Sequence, residues 1–200
     1  MHIIHNVIGI PKISQTEVWD NSTRFVVWPL PRGYWITLWN SLRRVILSSI
    51  PWTKVTWIKV AGVSHEYSVL PWIKESIVDI MLNLKSLVVD KKDEWEIWLK
   101  LKKDTAWVVT AWDIQNSLWV EIINKDLYIT EIDKDGLSLE IDIRVEKSVW
   151  YLSIEELKKR EDDVNVLLID ANFSPVVNVK YEIVDTRFWD ITNLDSLDMT

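Results

Sequence analysis

The residue type most often used in catalysis and metal binding, histidine, occurs three times in this chain. His2 and His5 stand at i and i+3, a spacing that can hold a metal ion on a helix, but no third ligand stands nearby. His65 lies within Ser64-His65-Glu66-Tyr67-Ser68, although the groups of a working triad normally converge from separate parts of a fold. We therefore predict a local hydrogen-bonded loop at His65 and a strand-forming or disordered amino terminus.

Acidic clusters and turn motifs do not supply an active site either. Glu155-Glu156 and Asp162-Asp163 are typical of solvated faces, and Asp133, Asp135 and Gly136 match only a fragment of a calcium loop. Neither glycine-rich phosphate-binding pattern occurs, even if glycine is placed at every Trp position. We predict that this chain carries no catalytic residue, no metal and no cofactor.

An adjacent arginine pair, Arg43 and Arg44, is the remaining feature with a chemical use. The pair stands in a mostly apolar helical pattern. Because guanidinium groups bind carboxylates through two parallel hydrogen bonds, the pair suits an acidic partner surface. A solvated helix face is the alternative explanation.

Two amphipathic helices would position these residues, since apolar side chains recur every three to four positions. The second helix is predicted over 73–84, after a turn at Pro71. The first ends before Pro51, because the residue before proline avoids the helical region. One face of the first helix carries Leu38, Leu42, Val45, Ile46 and Ser49.

The apolar period changes to two over residues 87–145, which indicates strands with one buried and one solvated face. Alternation is clearest over 137–145, recurs over 97–101 and is weaker over 127–132. The turn Asp133-Lys134-Asp135-Gly136 is predicted to join two of these strands as a hairpin.

The remaining pattern completes an α+β fold in which antiparallel sheet dominates. A charged surface helix or loop is predicted over 154–163. Two further strands are predicted, near 164–169 and 176–184, and another alternating pattern begins at Asn193.

Composition restricts the class of protein. At 200 residues with 48% hydrophobic and 26% charged residues, the chain is typical of a soluble globular protein. It contains no cysteine, no signal-peptide pattern and no apolar stretch long enough for a membrane span. A net charge of −7 argues against unaided nucleic-acid binding. We expect a cytoplasmic protein that reaches nucleic acid only through partners.

Tryptophan and glycine usage is inverted, with 14 Trp and 4 Gly. Pro51-Trp52 and Pro71-Trp72 stand at turns, where glycine is the residue that best follows proline. We hypothesise that many or all of these Trp positions are UGA codons that the source organism reads as glycine. A truly Trp-rich protein, with aromatic platforms that stack on sugars or bases, is the alternative.

A family resemblance is carried by five motifs in a fixed order. Residues 29–51, PLPRGYWITLWNSLRRVILSSIP, resemble the signature helix of bacterial RNA polymerase α subunits, approximately EPLERGFGxTLGNALRRxLLSSxPG. Trp35, Trp39 and Trp52 stand where the family has glycine, whereas Trp28 stands where it usually has glutamate. The other four motifs are VSHEYS at 63–68, the helix at 72–85 ending in LNLK, VVTAWDI at 108–114 and DANFSPV at 170–176.

The resemblance implies a non-catalytic subunit with two parts. Residues 1–51 and 175–200 would form a dimerisation subdomain with helices on an antiparallel sheet, and residues 52–174 an inserted β-rich subdomain. Two copies would associate and serve as the assembly platform for the β and β′ subunits, with ω and σ joining the full enzyme.

The resemblance also implies which residues make these contacts. The dimer interface would contain Leu38, Leu42, Val45, Ile46 and Ser49. Contacts to β or β′ would involve Arg43, Arg44, Leu47, His65, Glu66, Tyr67, Lys85, Asp170, Ser174 and Pro175. For Leu47, ordinary core packing is the alternative.

Two further expectations concern the end of the chain and a competing function. The family continues into a long helix and a DNA-contacting carboxy-terminal domain, so we expect Thr200 to end an incomplete gene sequence. DNA would then be reached only through the assembled complex or that missing domain. The competing function is a Trp-rich carbohydrate-binding module, but Trp52, Trp72 and Trp189 stand in turns and share no strand period.

Overall fold

A computed structural model describes residues 9–19, 21–91, 96–115, 119–160, 163, 165–188 and 190–200. The chain forms two compact units: unit 1 is Met1–Ile50 with Pro175–Thr200, and unit 2 is Pro51–Ser174. Helices and mainly antiparallel strands make up both, which confirms the α+β class. The predictions for His2, His5 and Trp189 lie outside the described residues.

The elements are as follows in chain order. The first half contains β1 (Lys12–Trp19), β2 (Ser22–Pro31), α1 (Trp35–Ser48), β3 (Trp52–Val60), α2 (Ile77–Lys85), β4 (Val89–Lys91) and β5 (Ile97–Lys103). Next come β6 (Val108–Thr110), a 3-10 turn (Ala111–Asp113), β7 (Ile114–Gln115), β8 (Val120–Ile122), β9 (Tyr128–Glu131) and β10 (Leu139–Ser148). The last are β11 (Tyr151–Leu152), α3 (Ile154–Lys158), β12 (Leu167–Leu168), β13 (Ala171–Asn172), β14 (Tyr181–Phe188) and β15 (Ile191–Met199).

Unit 1 is a four-stranded antiparallel sheet, in the order β1-β2-β15-β14, with α1 packed on it. Trp39 of α1 is buried in a cluster with Leu30 and Leu197 of the sheet. Strand β15, one of the two interior strands of this sheet, is buried from Leu194 to Met199. The predicted first helix is confirmed and begins one turn earlier than its apolar stripe.

Unit 2 is built on a five-stranded sheet in the order β12-β3-β10-β5-β7. One face of this sheet holds the largest apolar cluster of the described residues, which includes Ile58, Leu101 and Ile141. Helix α2 contributes Ile80 and Leu84 to the same cluster. Three two-stranded ribbons, β11-β13, β4-β8 and β6-β9, complete the unit.

Helix α2 begins later than its apolar pattern predicts. The stripe starts at Ile73, but Ile73 forms a β-bridge with Ile132, and the helix starts at Ile77. Ser76 sets this start, because its side chain and that of Asp79 form a reciprocal capping box.

The predicted hairpin at 133–136 is wrong. The preceding strand β9 pairs with β6, whereas the following strand β10 pairs with β3 and β5. The turn is held from outside: Asp133 N–H donates to the Trp72 carbonyl at 2.9 Å, and Asp135 accepts from Ala106 N–H at 2.6 Å. These bonds explain why strands adjacent in sequence enter different sheets.

In the carboxy-terminal third, the observed strands differ in length and position from those that the sequence predicts. Among the described residues of 164–169, strand pairing is limited to β12, with one further hydrogen bond from Ile169 N–H to the Thr56 carbonyl at 2.8 Å. The strand predicted over 176–184 begins at Tyr181. The charged segment contains the short helix α3, capped by Ser153 with Glu156. None of the helices in the described part of the chain is long and apolar enough to cross a bilayer.

Candidate interaction surfaces

The start of helix α1 is positioned by a buried carboxylate. Gly33 has φ of +79°, a conformation that glycine adopts without strain, and its N–H donates to Asp195 Oδ2 at 2.9 Å. Asp195 lies in β15 and is 4% exposed. The turn closes through Tyr34 N–H and the Pro31 carbonyl at 3.0 Å. These hydrogen bonds fix the position of the turn before α1 relative to strand β15.

The predicted dimer-contact stripe on α1 is covered unevenly. Leu38 and Leu42 pack against the core of their own unit and are half-buried. Val45 is 54% exposed, Ile46 is half-buried and Ser49 is exposed. The amino-terminal half of the stripe therefore packs within the chain, and the carboxy-terminal half leaves apolar surface uncovered in the described structure.

The predicted arginine contacts lie on the same half of α1. Arg43 and Arg44 are exposed, and Leu47 is half-buried. In the described ranges, neither guanidinium group has a carboxylate within ion-pair distance. Two available guanidinium groups therefore flank the uncovered apolar surface.

In unit 2, an ion pair joins Lys85 and Asp170, which stand in two different sequence motifs. Lys85 Nζ donates to Asp170 Oδ1 at 2.6 Å, and the Tyr151 hydroxyl donates to Asp170 Oδ2 at 3.0 Å. The bond from Lys85 lowers the pKa of Asp170 in spite of partial burial, and the bond to Asp170 raises the pKa of Tyr151. Each oxygen of the Asp170 carboxylate thus accepts one of these hydrogen bonds.

The position of Lys85 follows from the way α2 is anchored. Asn83 Nδ2 donates to the Ile129 carbonyl of β9 at 2.9 Å, and Leu84 is fully buried. Near the other end of the helix, Glu75 accepts hydrogen bonds from Thr130 Oγ1 at 2.7 Å and Glu131 N–H at 3.0 Å, and from the Tyr128 hydroxyl. These bonds to one strand fix the register of α2 and therefore the reach of Lys85.

Lys54 of β3 is a cation beside this cluster that the sequence analysis did not identify. Its side chain is half-buried. Burial lowers the pKa of Lys54, and the positive charge of Lys85 lowers it further. Neither Lys54 nor Tyr151 lies in a recognisable pattern, so only their spatial neighbours identify them.

The predicted contacts at 65–68 form a local loop, as expected from their sequence. Ser68 Oγ and His65 Nδ1 are 3.3 Å apart, and Ser68 N–H donates to the His65 carbonyl at 3.1 Å. Tyr67 is 76% exposed, and a hydrogen bond with Glu66 raises its pKa. The loop therefore offers an exposed aromatic ring.

The remaining predicted contacts, Ser174 and Pro175, are half-buried and stand where unit 2 ends and the chain returns to unit 1. The VVTAWDI motif has a structural explanation. Asp113 accepts from Thr110 N–H at 2.9 Å and lies 2.8 Å from Lys103 Nζ, which stabilises the 3-10 turn.

The described residues contain no candidate metal centre. In that part of the chain, no three His, Asp or Glu side chains lie close enough together to hold a metal ion.

Comparison with known proteins gives a consistent set of matches. A protein-family model described as the RNA polymerase Rpb3/RpoA insert domain matches residues 58–174. Proteins named DNA-directed RNA polymerase subunit alpha are similar: the one from Desulfitobacterium hafniense is 41% identical over 189 residues, and the one from Heliobacterium modesticaldum is 44% identical over 189 residues. Each alignment covers 94% of this chain and 60% of the relative, so the chain spans about 60% of the length of these relatives.

Proposed function

Since this chain belongs to the RNA polymerase Rpb3/RpoA insert-domain family, we propose that it acts as the α subunit of a bacterial DNA-directed RNA polymerase. Two copies associate through unit 1, and the pair is the platform on which the β and β′ subunits assemble. The chain itself catalyses no reaction, and it works in the cytoplasm, where σ and ω join the assembled enzyme.

The observation that carries this proposal is the Lys85–Asp170 ion pair. The two residues are 85 positions apart, yet the fold brings both of these predicted β/β′ contacts into one polar surface of unit 2. Lys85 retains 39% side-chain exposure and Asp170 28%, so both remain reachable by a partner. A surface ion pair contributes little to stability, which leaves recognition as the more useful role.

The uncovered half of α1 supports the dimer. A helix normally buries its apolar face, and Val45 at 54% exposure departs from that rule. A second copy of α1 would cover Val45 and Ile46, while Arg43 and Arg44 stay available to a large subunit.

The proposal is tested by assembly with the purified β subunit of the same organism. The full-length chain should form a stable complex with β that separates from free α in gel filtration. Replacing Lys85 by Glu should weaken this complex roughly tenfold or more, because it places like charges together and removes a donor. Replacing Lys134, an exposed turn residue, by Glu is the matched control and should leave the complex unchanged.

Failure of the wild-type chain to bind β under any salt condition would contradict the proposal. The carbohydrate-binding alternative has no support from the relatives described above, which are named as polymerase α subunits. Retention of the wild-type chain on insoluble polysaccharide, with no binding to β, would reverse that conclusion.

A further inference from the structure

We infer that Lys54, together with Lys85, forms a cationic site that accepts a carboxylate group from a protein partner. The inference rests on the proposed function, since it specifies the chemistry of the partner group at the Lys85–Asp170 surface. It adds Lys54, which the sequence motifs do not contain, to that surface.

The positive charges of Lys54 and Lys85 are only partly compensated in their part of unit 2. Helix α2 and strand β13 both pack against β3. The Ile169 N–H donates to the Thr56 carbonyl at 2.8 Å, and the antiparallel register of β12 with β3 continues from there toward Lys54, so Asp170 and its partner Lys85 lie near Lys54. Lys54 and Lys85 contribute two ammonium groups here, and Asp170 pairs with Lys85. Asp170 already accepts hydrogen bonds from Lys85 at one oxygen and from Tyr151 at the other, and among the described residues its ion-pair partner is Lys85.

The carboxylate opposite Lys54 in the strand register already has other partners. Glu146 of β10 stands opposite Lys54 in the strand register. Its Oε1 lies 3.0 Å from Arg144 Nε and accepts a hydrogen bond from Thr56 Oγ1 at 3.0 Å. Across the described segments, no carboxylate lies within ion-pair distance of the Lys54 ammonium group.

An unpaired ammonium group on Lys54 costs free energy. A half-buried ammonium group beside a second positive charge is partly desolvated without compensation, and the lowered pKa of Lys54 reflects this. A carboxylate from a partner would neutralise the excess charge and accept hydrogen bonds from both lysines. A protein carboxylate is favoured over a phosphate backbone because the chain carries a net charge of −7.

The test measures binding of the full-length chain to the purified β subunit over a series of salt concentrations. Lys54→Met should weaken binding roughly 5- to 20-fold and flatten the salt dependence, because one charge-assisted contact is lost. Lys54→Glu should weaken it further by repulsion. Lys102→Met, at an exposed position on β5 of the same sheet, should bind as the wild type does.

Each other outcome has a distinct meaning. If Lys85→Met weakens binding and both Lys54 variants bind normally, the inference is overturned and the proposed function stands. If Lys54→Glu binds as well as Lys54→Met, the partner group is not a carboxylate. If the wild type does not bind β, the proposed function itself fails.

Two further measurements separate the remaining explanations. Thermal unfolding of Lys54→Met identifies a folding defect, and a second variant, Lys54→Gln, should then reproduce the binding loss with wild-type stability. Retention of a double-stranded DNA fragment by the wild-type chain alone, lost in Lys54→Met, would overturn the inference in favour of phosphate binding.

Discussion

Individual polar side chains fix where helices and strands begin, and Asp195 is the clearest case. The almost fully buried carboxylate of Asp195 accepts a hydrogen bond from the Gly33 N–H, so strand β15 holds the turn before α1 in place. A buried acceptor of this kind costs free energy unless its donor is present.

Replacing Asp195 by Ala should lower the free energy of unfolding by about 0.5–1.5 kcal/mol, because the hydrogen bond from the exposed Gly33 N–H is lost. Denaturant unfolding followed by circular dichroism measures the change. Asp190→Ala, in the exposed turn before β15, is the control and should change stability by less than about 0.5 kcal/mol. Equal losses in the two variants would show that Asp195 has no special role.

Trp150 has a backbone conformation that suits glycine. Its φ is +72°, and the indole is 65% exposed, so the side chain gains little from packing. Trp72 adds a buried indole Nε1 that lacks a hydrogen-bond partner in the described structure. Both observations support the hypothesis that Trp positions of this sequence are read as glycine.

Trp150→Gly should therefore raise stability by about 1 kcal/mol, because the strain of positive φ is removed. Trp57→Gly is the contrasting variant and should destabilise, because Trp57 is 5% exposed and packs against Trp98 with ring centroids 4.0 Å apart. The intact mass of protein from its native source tests the hypothesis directly. A mass that corresponds to all 14 Trp residues would contradict it.

Helix α2 and the segment before β13 are joined by the Lys85–Asp170 ion pair. The hydrogen bond from Lys85 holds the pKa of Asp170 below its ordinary value. A carboxyl group with a lowered folded-state pKa stabilises the fold above its unfolded pKa, about 3.9, and that stabilisation is lost as pH falls through the folded pKa.

Lys85→Met should raise the pKa of Asp170 toward its ordinary value, as measured by carboxyl chemical shifts in a pH titration. The control is Lys134→Met, in an exposed turn, which should leave the Asp170 titration unchanged. An unaltered Asp170 titration in Lys85→Met would show that the ion pair does not persist in solution.

At the scale of the whole molecule, a single chain contains a unit built from its two ends and an inserted unit between them. The first unit exposes apolar helix surface at Val45, and the second exposes the polar surface that contains the Lys85–Asp170 ion pair. We predict that these two kinds of surface serve different partners: a second copy of the chain and a large subunit.

Val45→Asp should weaken self-association of the chain by about tenfold or more, because it would bury an unpaired charge at the proposed dimer contact. Analytical ultracentrifugation over a concentration series measures this. Thr37→Asp, on a different face of α1, is the control and should associate normally. Identical sedimentation of Val45→Asp and wild type would place the dimer contact elsewhere.

The sequence predicted local structure well where periodicity is strong. The stripe on α1 and the alternation over β10 each correspond to an observed element, because one buried face imposes a regular spacing on a helix or strand. Prediction failed where a long-range contact overrides the local pattern. Ile73 belongs to a β-bridge and not to α2, and the turn at 133–136 leads from one sheet into another.

The class of fold, the family and most helices and strands therefore follow from the amino-acid sequence, since they depend on periodicity and on motifs of adjacent residues. Which side chains meet follows from the folded arrangement alone. Gly33 and Asp195 are 162 positions apart, and Lys85 and Asp170 are 85 apart. Such meetings depend on strand order and helix register, which are fixed by the packing of the whole core and leave no local trace in the sequence.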